Sequence, residues 1–211
     1  NQTGGAVAVM CASRSVFANY NRTLNVAYMN YLLGKTNGRH NTMGEALQLA
    51  KAELVTRKSD NTINKLKYTL LGDPALYLAV PRGKVVVDKI NGQATATGTR
   101  HQLAACSVAE IEGYVTKPDG TADAGFNGTL TAMLLCPKEK ITCKGNGSSA
   151  PLTYEDYNKT MFESSVSVSG GRFTLRIPIP RDINYSDDDA LLSFYAVNAD
   201  HSLDCNGSFT D

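Results

Sequence analysis

The chain is 211 residues long, enough for one or two domains that each bury a core. Its formal net charge is +1 with no cluster of Lys and Arg, which argues against a nucleic-acid or membrane-surface partner. Hydrophobic residues make up 42% and charged residues 19%, ordinary values for a globular protein, and no apolar run approaches the ~20 residues of a membrane span.

The chain opens Asn1-Gln2-Thr3-Gly4-Gly5, with no initiator Met and no secretory leader, and runs almost directly into an apolar stretch. That start reads as the cut edge of a larger unit, so the missing leader says nothing about where the whole protein resides. Ala6-Val7-Ala8-Val9-Met10-Cys11 is a continuous apolar run of strand length, the pattern of a parallel strand covered on both faces. Leu24, Ala27, Tyr28, Tyr31 and Leu32 then recur at helical spacing, and Gly34 is placed to end that helix. Thr42-Met43-Gly44-Glu45 is a capping box, and Met43, Ala46, Leu47, Ala50 and Leu54 form the apolar stripe of the helix it opens. Residues 64–68 suggest a short third helix, stopped by Gly72-Asp73-Pro74, a turn in which each residue has a structural role. Leu76 to Val80 leads out. One strand and two or three helices cannot cover both faces of a parallel sheet, so residues 1–81 are expected to be the C-terminal part of an α/β domain.

After Pro81-Arg82-Gly83 the helical period disappears. Val85 to Val87 reads as a strand and Asn91-Gly92 as a turn. Ala109, Ile111, Gly113 and Val115 alternate with polar residues up to the turn Pro118-Asp119-Gly120. Alternating runs at 130–136, 166–168, 173–179 and 191–197, with Gly170-Gly171 as a turn, make some seven strands. Residues 82–211 are therefore expected to form an all-β, immunoglobulin-like sandwich.

Five cysteines occur, and no Cys/His spacing fits zinc. Cys136 and Cys143 flank Pro137–Lys140, which could turn a hairpin and bring them opposite one another; Cys106 and Cys205 could then pair, in an oxidising compartment. The alternative is five free thiols. Cys11 lies at a strand end, where α/β sites cluster. An active thiolate needs a base or a positive field beside it, and the one His of the first half, His40, sits in a polar turn, so Cys11 reads as a buried structural thiol. His101 and His201 read as solvated. Asn184-Tyr185-Ser186-Asp187-Asp188-Asp189 gathers oxygen ligands that could hold Ca²⁺, but it lacks the glycine pattern of calcium loops and reads as a solvated connection. No cofactor is expected.

Three segments carry a family resemblance. Gly4-Gly5-Ala6-Val7-Ala8-Val9-Met10-Cys11-Ala12-Ser13-Arg14 resembles the late strand of gingipain-family cysteine peptidases. Tyr68-Thr69-Leu70-Leu71-Gly72-Asp73-Pro74-Ala75-Leu76 is similar to that family's hydrophobic-Gly-Asp-Pro element, and Gly44-Glu45-Ala46-Leu47-Gln48-Leu49-Ala50-Lys51 lies between them in the expected order. Ser13-Arg14-Ser15-Val16, Tyr20-Asn21 and Phe126-Asn127-Gly128-Thr129-Leu130 bring the resemblance closest to the type IX secretion signal peptidases, or sortases.

The resemblance implies a caspase-like peptidase domain followed by an immunoglobulin-like one. It further implies a secreted protein at the outer membrane or cell surface of a bacterium, which removes C-terminal targeting domains from exported cargo and can pass the new end to a surface glycolipid. Secretion-system subunits are then possible partners. The family's nucleophilic Cys and its His precede the opening strand, so neither falls in this chain, and the segment alone is expected to be inactive. What could carry over is the loop from Arg14 to Asn21, with Arg14, Phe17 and Tyr20 as candidates for the substrate pocket; the alternative for Phe17 and Tyr20 is that they are core or rim aromatics. The Trp and Met of the best-known gingipain pocket are not present, which sets an Arg- or Lys-directed specificity in doubt. The rival reading is a non-enzymatic adhesion or docking module of immunoglobulin type, and a third is a family member that has lost its dyad.

Overall fold

In the computed structural model, which describes residues 5–95, 100–145, 150–181 and 188–210, the chain divides into two units, Asn1–Val80 and Pro81–Asp211. In the first, strand β1 (Ala8–Ala12) leads to helix α1 (Ala18–Leu33), a short hairpin β2 (Lys35–Thr36) and β3 (Arg39–His40), and helix α2 (Met43–Thr56). A 3-10 turn (Asn64–Lys67) then enters strand β4 (Tyr68–Gly72). The capping box forms as read: Glu45 N–H donates to Thr42 Oγ1 (3.2 Å), and Thr42 N–H donates to the Glu45 carboxylate (3.0 Å). The predicted stripe of α2 packs against Leu24, Ala27, Tyr28 and Leu32 of α1 to make the core. Ala8 and Met10 of β1, with Tyr68 and Leu70 of β4, cover one side of it.

In the second unit the strands are β5 (Gly83–Ile90), β6 (Gln93–Ala94), β7 (Val108–Val115), β8 (Gly128–Leu135), β9 (Glu139–Thr142), β10 (Thr153–Asp156), β11 (Thr160–Val168), β12 (Arg172–Pro178), β13 (Leu191–Asn198) and β14 (Asp204–Thr210). Seven of them follow one path, β11-β8-β13-β14-β5-β7-β12, antiparallel throughout except for a two-residue parallel seam between β14 and β5. Alternate residues, such as Ile111, Leu130, Leu134, Leu175, Ile177 and Phe194, point into a single core. The hairpin of β8 and β11 continues beyond Leu135 as the ribbon β9–β10, whose strands pair only with each other.

The expected fold class, an α/β fragment followed by an immunoglobulin-like sandwich, does not hold. Among the described residues 44% lie in strands and 18% in helices, and the seven-stranded path forms a nearly closed, barrel-like sheet. The opening strand is not parallel either. β1 pairs antiparallel with β4, Met10 opposite Leu70 and Cys11 opposite Thr69, in a sheet of two strands. The physical reason is the Gly72-Asp73-Pro74 turn: residues 68–72, read from sequence as the end of a helix, are extended and return alongside β1 instead.

Among the described residues no helix is long and apolar enough to cross a membrane.

Candidate functional site

The three segments singled out in the sequence meet in the first unit. Gly72 has φ +132°, a conformation that side-chain-bearing residues rarely adopt, and a Cβ there would stand 2.9 Å from Ala8 Cβ of the opening strand. Two residues on, Pro74 sits against the start of α2: Gly44 N–H donates to Pro74 O (2.9 Å), and a Cβ on Gly44 would lie 2.7 Å from Pro74 Cβ. Met43 N–H donates to Leu76 O (2.9 Å), and Asp73 Oδ1 accepts from Ala75 N–H (2.8 Å). The Gly-Asp-Pro turn therefore clamps the opening strand on one side and the capped helix on the other. Each glycine is required by close approach of backbone.

This clamp supports the loop between β1 and α1, residues 13–17. Ser13 is tied to the 3-10 turn twice, its N–H (2.8 Å) and its hydroxyl (2.9 Å) both donating to Lys67 O. Phe17 is the N-terminal cap residue of α1, and its side chain cannot cap. Asn64 takes that role from a distance in sequence. Its Oδ1 accepts Phe17 N–H (2.8 Å), its Nδ2 donates to Asn21 Oδ1 (3.1 Å), and the residue is fully buried. Lys67 Nζ donates to Ser15 O (2.7 Å) and lies 5.8 Å from the centroid of the Phe17 ring. Behind Asn64, buried Asp60 accepts from the Thr62 hydroxyl (2.6 Å) and from Lys65 N–H (3.2 Å). Burial pushes its carboxyl up, but hydrogen bonds from Thr62 and the nearby Lys65 charge together outweigh it and hold the group below the usual range.

Of the predicted pocket residues, Phe17 is 60% exposed and stands edge-on to half-buried Tyr20, with ring centroids 6.4 Å apart. Arg14 is exposed on the same loop. Asn64 and Lys67, which hold that loop, were not legible in the sequence. They lie about fifty residues away, and only the pairing of β4 with β1 brings them alongside.

The remaining candidates are scattered. Cys11 is half-buried within β1, while His40 lies in β3 with a buried Nδ1 that has no hydrogen-bond partner; among the described residues no hydrogen bond joins the two. All five thiols are free. Cys136 and Cys143 do not face each other across a turn, because Pro137–Lys140 leads into strand β9 and leaves them at its two ends. Cys136 N–H donates to Lys159 O and Cys143 N–H to Leu152 O, both 2.8 Å, along the same ribbon. Cys205 is buried in the second core, where burial pushes its thiol up to about 11, whereas Cys106 is exposed. In the acidic stretch 184–189, residues 184–187 lie outside the described residues, and Asp189 pairs with Arg100 (3.0 Å). Among the described residues no cluster of His, Cys, Asp or Glu could hold a metal.

Comparison with known proteins bears on the first unit most directly. Residues 1–79 match Peptidase family C25. The chain is also similar to the solved structure of dimeric latent PorU from Porphyromonas gingivalis, with 27% identity and a TM-score of 0.56 over 84% of this chain. Only 17% of that PorU chain is covered, so the present chain spans about a sixth of its length. The sporulation control protein Spo0M of Bacillus subtilis also matches, at 8% identity and a TM-score of 0.36, over 63% of this chain and 48% of that one. No curated protein matches. The segment built around the Gly-Asp-Pro clamp thus matches the gingipain family, Peptidase family C25, and most of the chain is similar to a part of PorU.

Proposed function

We propose that this chain is a non-catalytic part of an exported cysteine endopeptidase or transpeptidase that removes C-terminal targeting domains from proteins leaving by type IX secretion. The observation that carries this reading is a coincidence of boundaries. The C25 match ends at residue 79, one residue before the end of the first unit at Val80, and it covers all three segments that the clamp joins. The likeness to PorU covers more of the chain than that unit contains, so it extends into the β unit.

In this reading a thiolate and a His elsewhere in the full protein carry out acyl transfer. The thiolate attacks the scissile carbonyl, the His gives its proton to the departing amine, and water or an acceptor amine then opens the thioester. Residues 1–80 contribute the loop 13–17 beside the reacting peptide, with Arg14, Phe17 and Tyr20 as the surface it meets. Such a protein works at the cell surface of a bacterium on exported cargo.

The test uses the full-length protein. A thiol-directed probe that blocks cleavage of a peptide spanning a targeting-domain junction should label a cysteine outside residues 1–211. Cys11→Ala should keep both cleavage and labelling. Labelling of Cys11 with loss of activity in Cys11→Ala would overturn the assignment of roles, and an intact protein that cleaves no such peptide would overturn the peptidase reading itself.

A further inference from the structure

We propose that Lys67 is a specificity-determining residue of the loop at 13–17, making it a surface that takes acidic or uncharged peptide side chains and turns away Lys and Arg. This rests on the peptidase reading above and adds the substrate class. The position of the charge is fixed by the fold. Lys67 ends the 3-10 turn that Asn64 opens, Asn64 anchors Phe17, and the Lys67 ammonium is held between Ser15 O (2.7 Å) and the Phe17 ring (5.8 Å). An ammonium carries three donors, and Ser15 uses one.

Among the described residues no carboxylate pairs with Lys67. No Asp or Glu precedes Glu45 in the chain, and Glu45 is engaged by Arg39 through two contacts of 2.6 and 2.8 Å. Asp73, the acid closest to Lys67 in sequence, lies past the far end of β4 and accepts from Ala75 N–H, and Asp60 is buried and occupied by Thr62 and Lys65. Arg14 and Arg22, both exposed, flank the same loop. The unit as a whole holds nine Lys and Arg against four Asp and Glu, a net +5. A cationic side chain laid on Phe17 would meet a ring that already has a cation near it, so cation–π attraction is offset by repulsion from Lys67. A carboxylate is drawn to Lys67, and to the edge rather than the face of the ring.

The experiment compares three junction peptides that differ only by Glu, Gln or Lys beside the cut, using the full-length protein with wild-type Lys67, Lys67→Arg, Lys67→Met and Lys67→Glu. Wild type should process the Glu peptide about tenfold better than the Lys peptide, as expected of unit charges some ångströms apart in a partly solvated site. Lys67→Arg should keep that order, Lys67→Met should level it and Lys67→Glu should reverse it. Raising the salt should shrink the Glu-to-Lys ratio and leave the Gln peptide unchanged, which a purely structural role for Lys67 would not do. A wild type that prefers the Lys peptide, or a preference that survives Lys67→Glu, overturns this inference and leaves the peptidase reading standing. A wild type that cleaves none of the three removes the peptidase reading and this inference with it.

Discussion

The two units solve the problem of a water-facing sheet differently. In the β unit the outward positions of β5, β7 and β12 carry a cross-strand ladder: Arg172 pairs with Asp88 (3.3 Å) and lies over Tyr114, and Arg176 pairs with Glu110 (2.8 Å). On β8 and β11 the Thr131 and Ser165 hydroxyls meet at 3.0 Å. In the first unit the outward face of β1 and β4 remains apolar, with Val9 46% and Leu71 58% exposed. Charge divides the same way. Twelve Lys and Arg face sixteen Asp and Glu in the β unit, a net −4, against +5 in the first. A polar outer face is what makes a strand readable from alternation; β1 has none, and its pattern therefore imitates a strand covered on both sides.

The sharpest way to break the comparison is to damage one core at a time. Ile177 and Leu54 are each almost fully buried, in separate cores. Ile177→Ala and Leu54→Ala should each cost about 2–5 kcal/mol. Thermal unfolding followed by hydrogen exchange should show Ile177→Ala loosening residues 81–211 and Leu54→Ala loosening residues 1–80. Equal loosening of both units by either variant would show that the cores melt as one.

A smaller effect tests the clamp. Gly44→Ala places a Cβ 2.7 Å from Pro74 Cβ, and relief of that overlap should cost about 1–3 kcal/mol. Exchange should speed up at the amides of Met43 and Gly44, which donate to the turn, while the β unit stays protected. Unchanged exchange there would mean that the turn does not lock the helix start.

The smallest expected effect is the share of the first unit's pH dependence that Glu45 sets. Hydrogen bonding to Arg39, and then to the Thr42 backbone, lowers the Glu45 carboxyl from 4.5 to about 2. A carboxyl whose folded value is depressed adds stability that is complete above its unfolded value and is lost as pH falls toward the folded one. The first unit should therefore weaken between about pH 5 and pH 2. Glu45→Gln, which keeps an acceptor for the capping box but cannot titrate, should flatten that part of the profile. Asp119 and Asp200, lowered first by the Thr121 and Ser202 hydroxyls respectively, give the β unit its own acid sensitivity, and Glu45→Gln should leave that unaltered. An unchanged profile for the first unit in Glu45→Gln would rule out Glu45 as the source.

Local signals and alternation were legible in the amino-acid sequence for a definite reason. A capping box, an apolar stripe at 3.6 residues and the alternation of 109–115 or 173–179 are each complete within a few residues, so short-range physics determines them. The position of the loop bearing Phe17 could be suggested by family resemblance, since its motif is contiguous. What only the tertiary structure decided is everything that depends on a partner far along the chain. Residues 68–72 return as a strand because Pro74 docks on the start of α2; seven strands join one nearly closed sheet because β14 meets β5 at Gly83; and Asn64 and Lys67 reach the loop at 13–17 because β4 lies beside β1. Hydrogen-bond partners separated by tens of residues leave no periodic trace in sequence, and so the residues that hold this candidate site emerged only once the chain was folded.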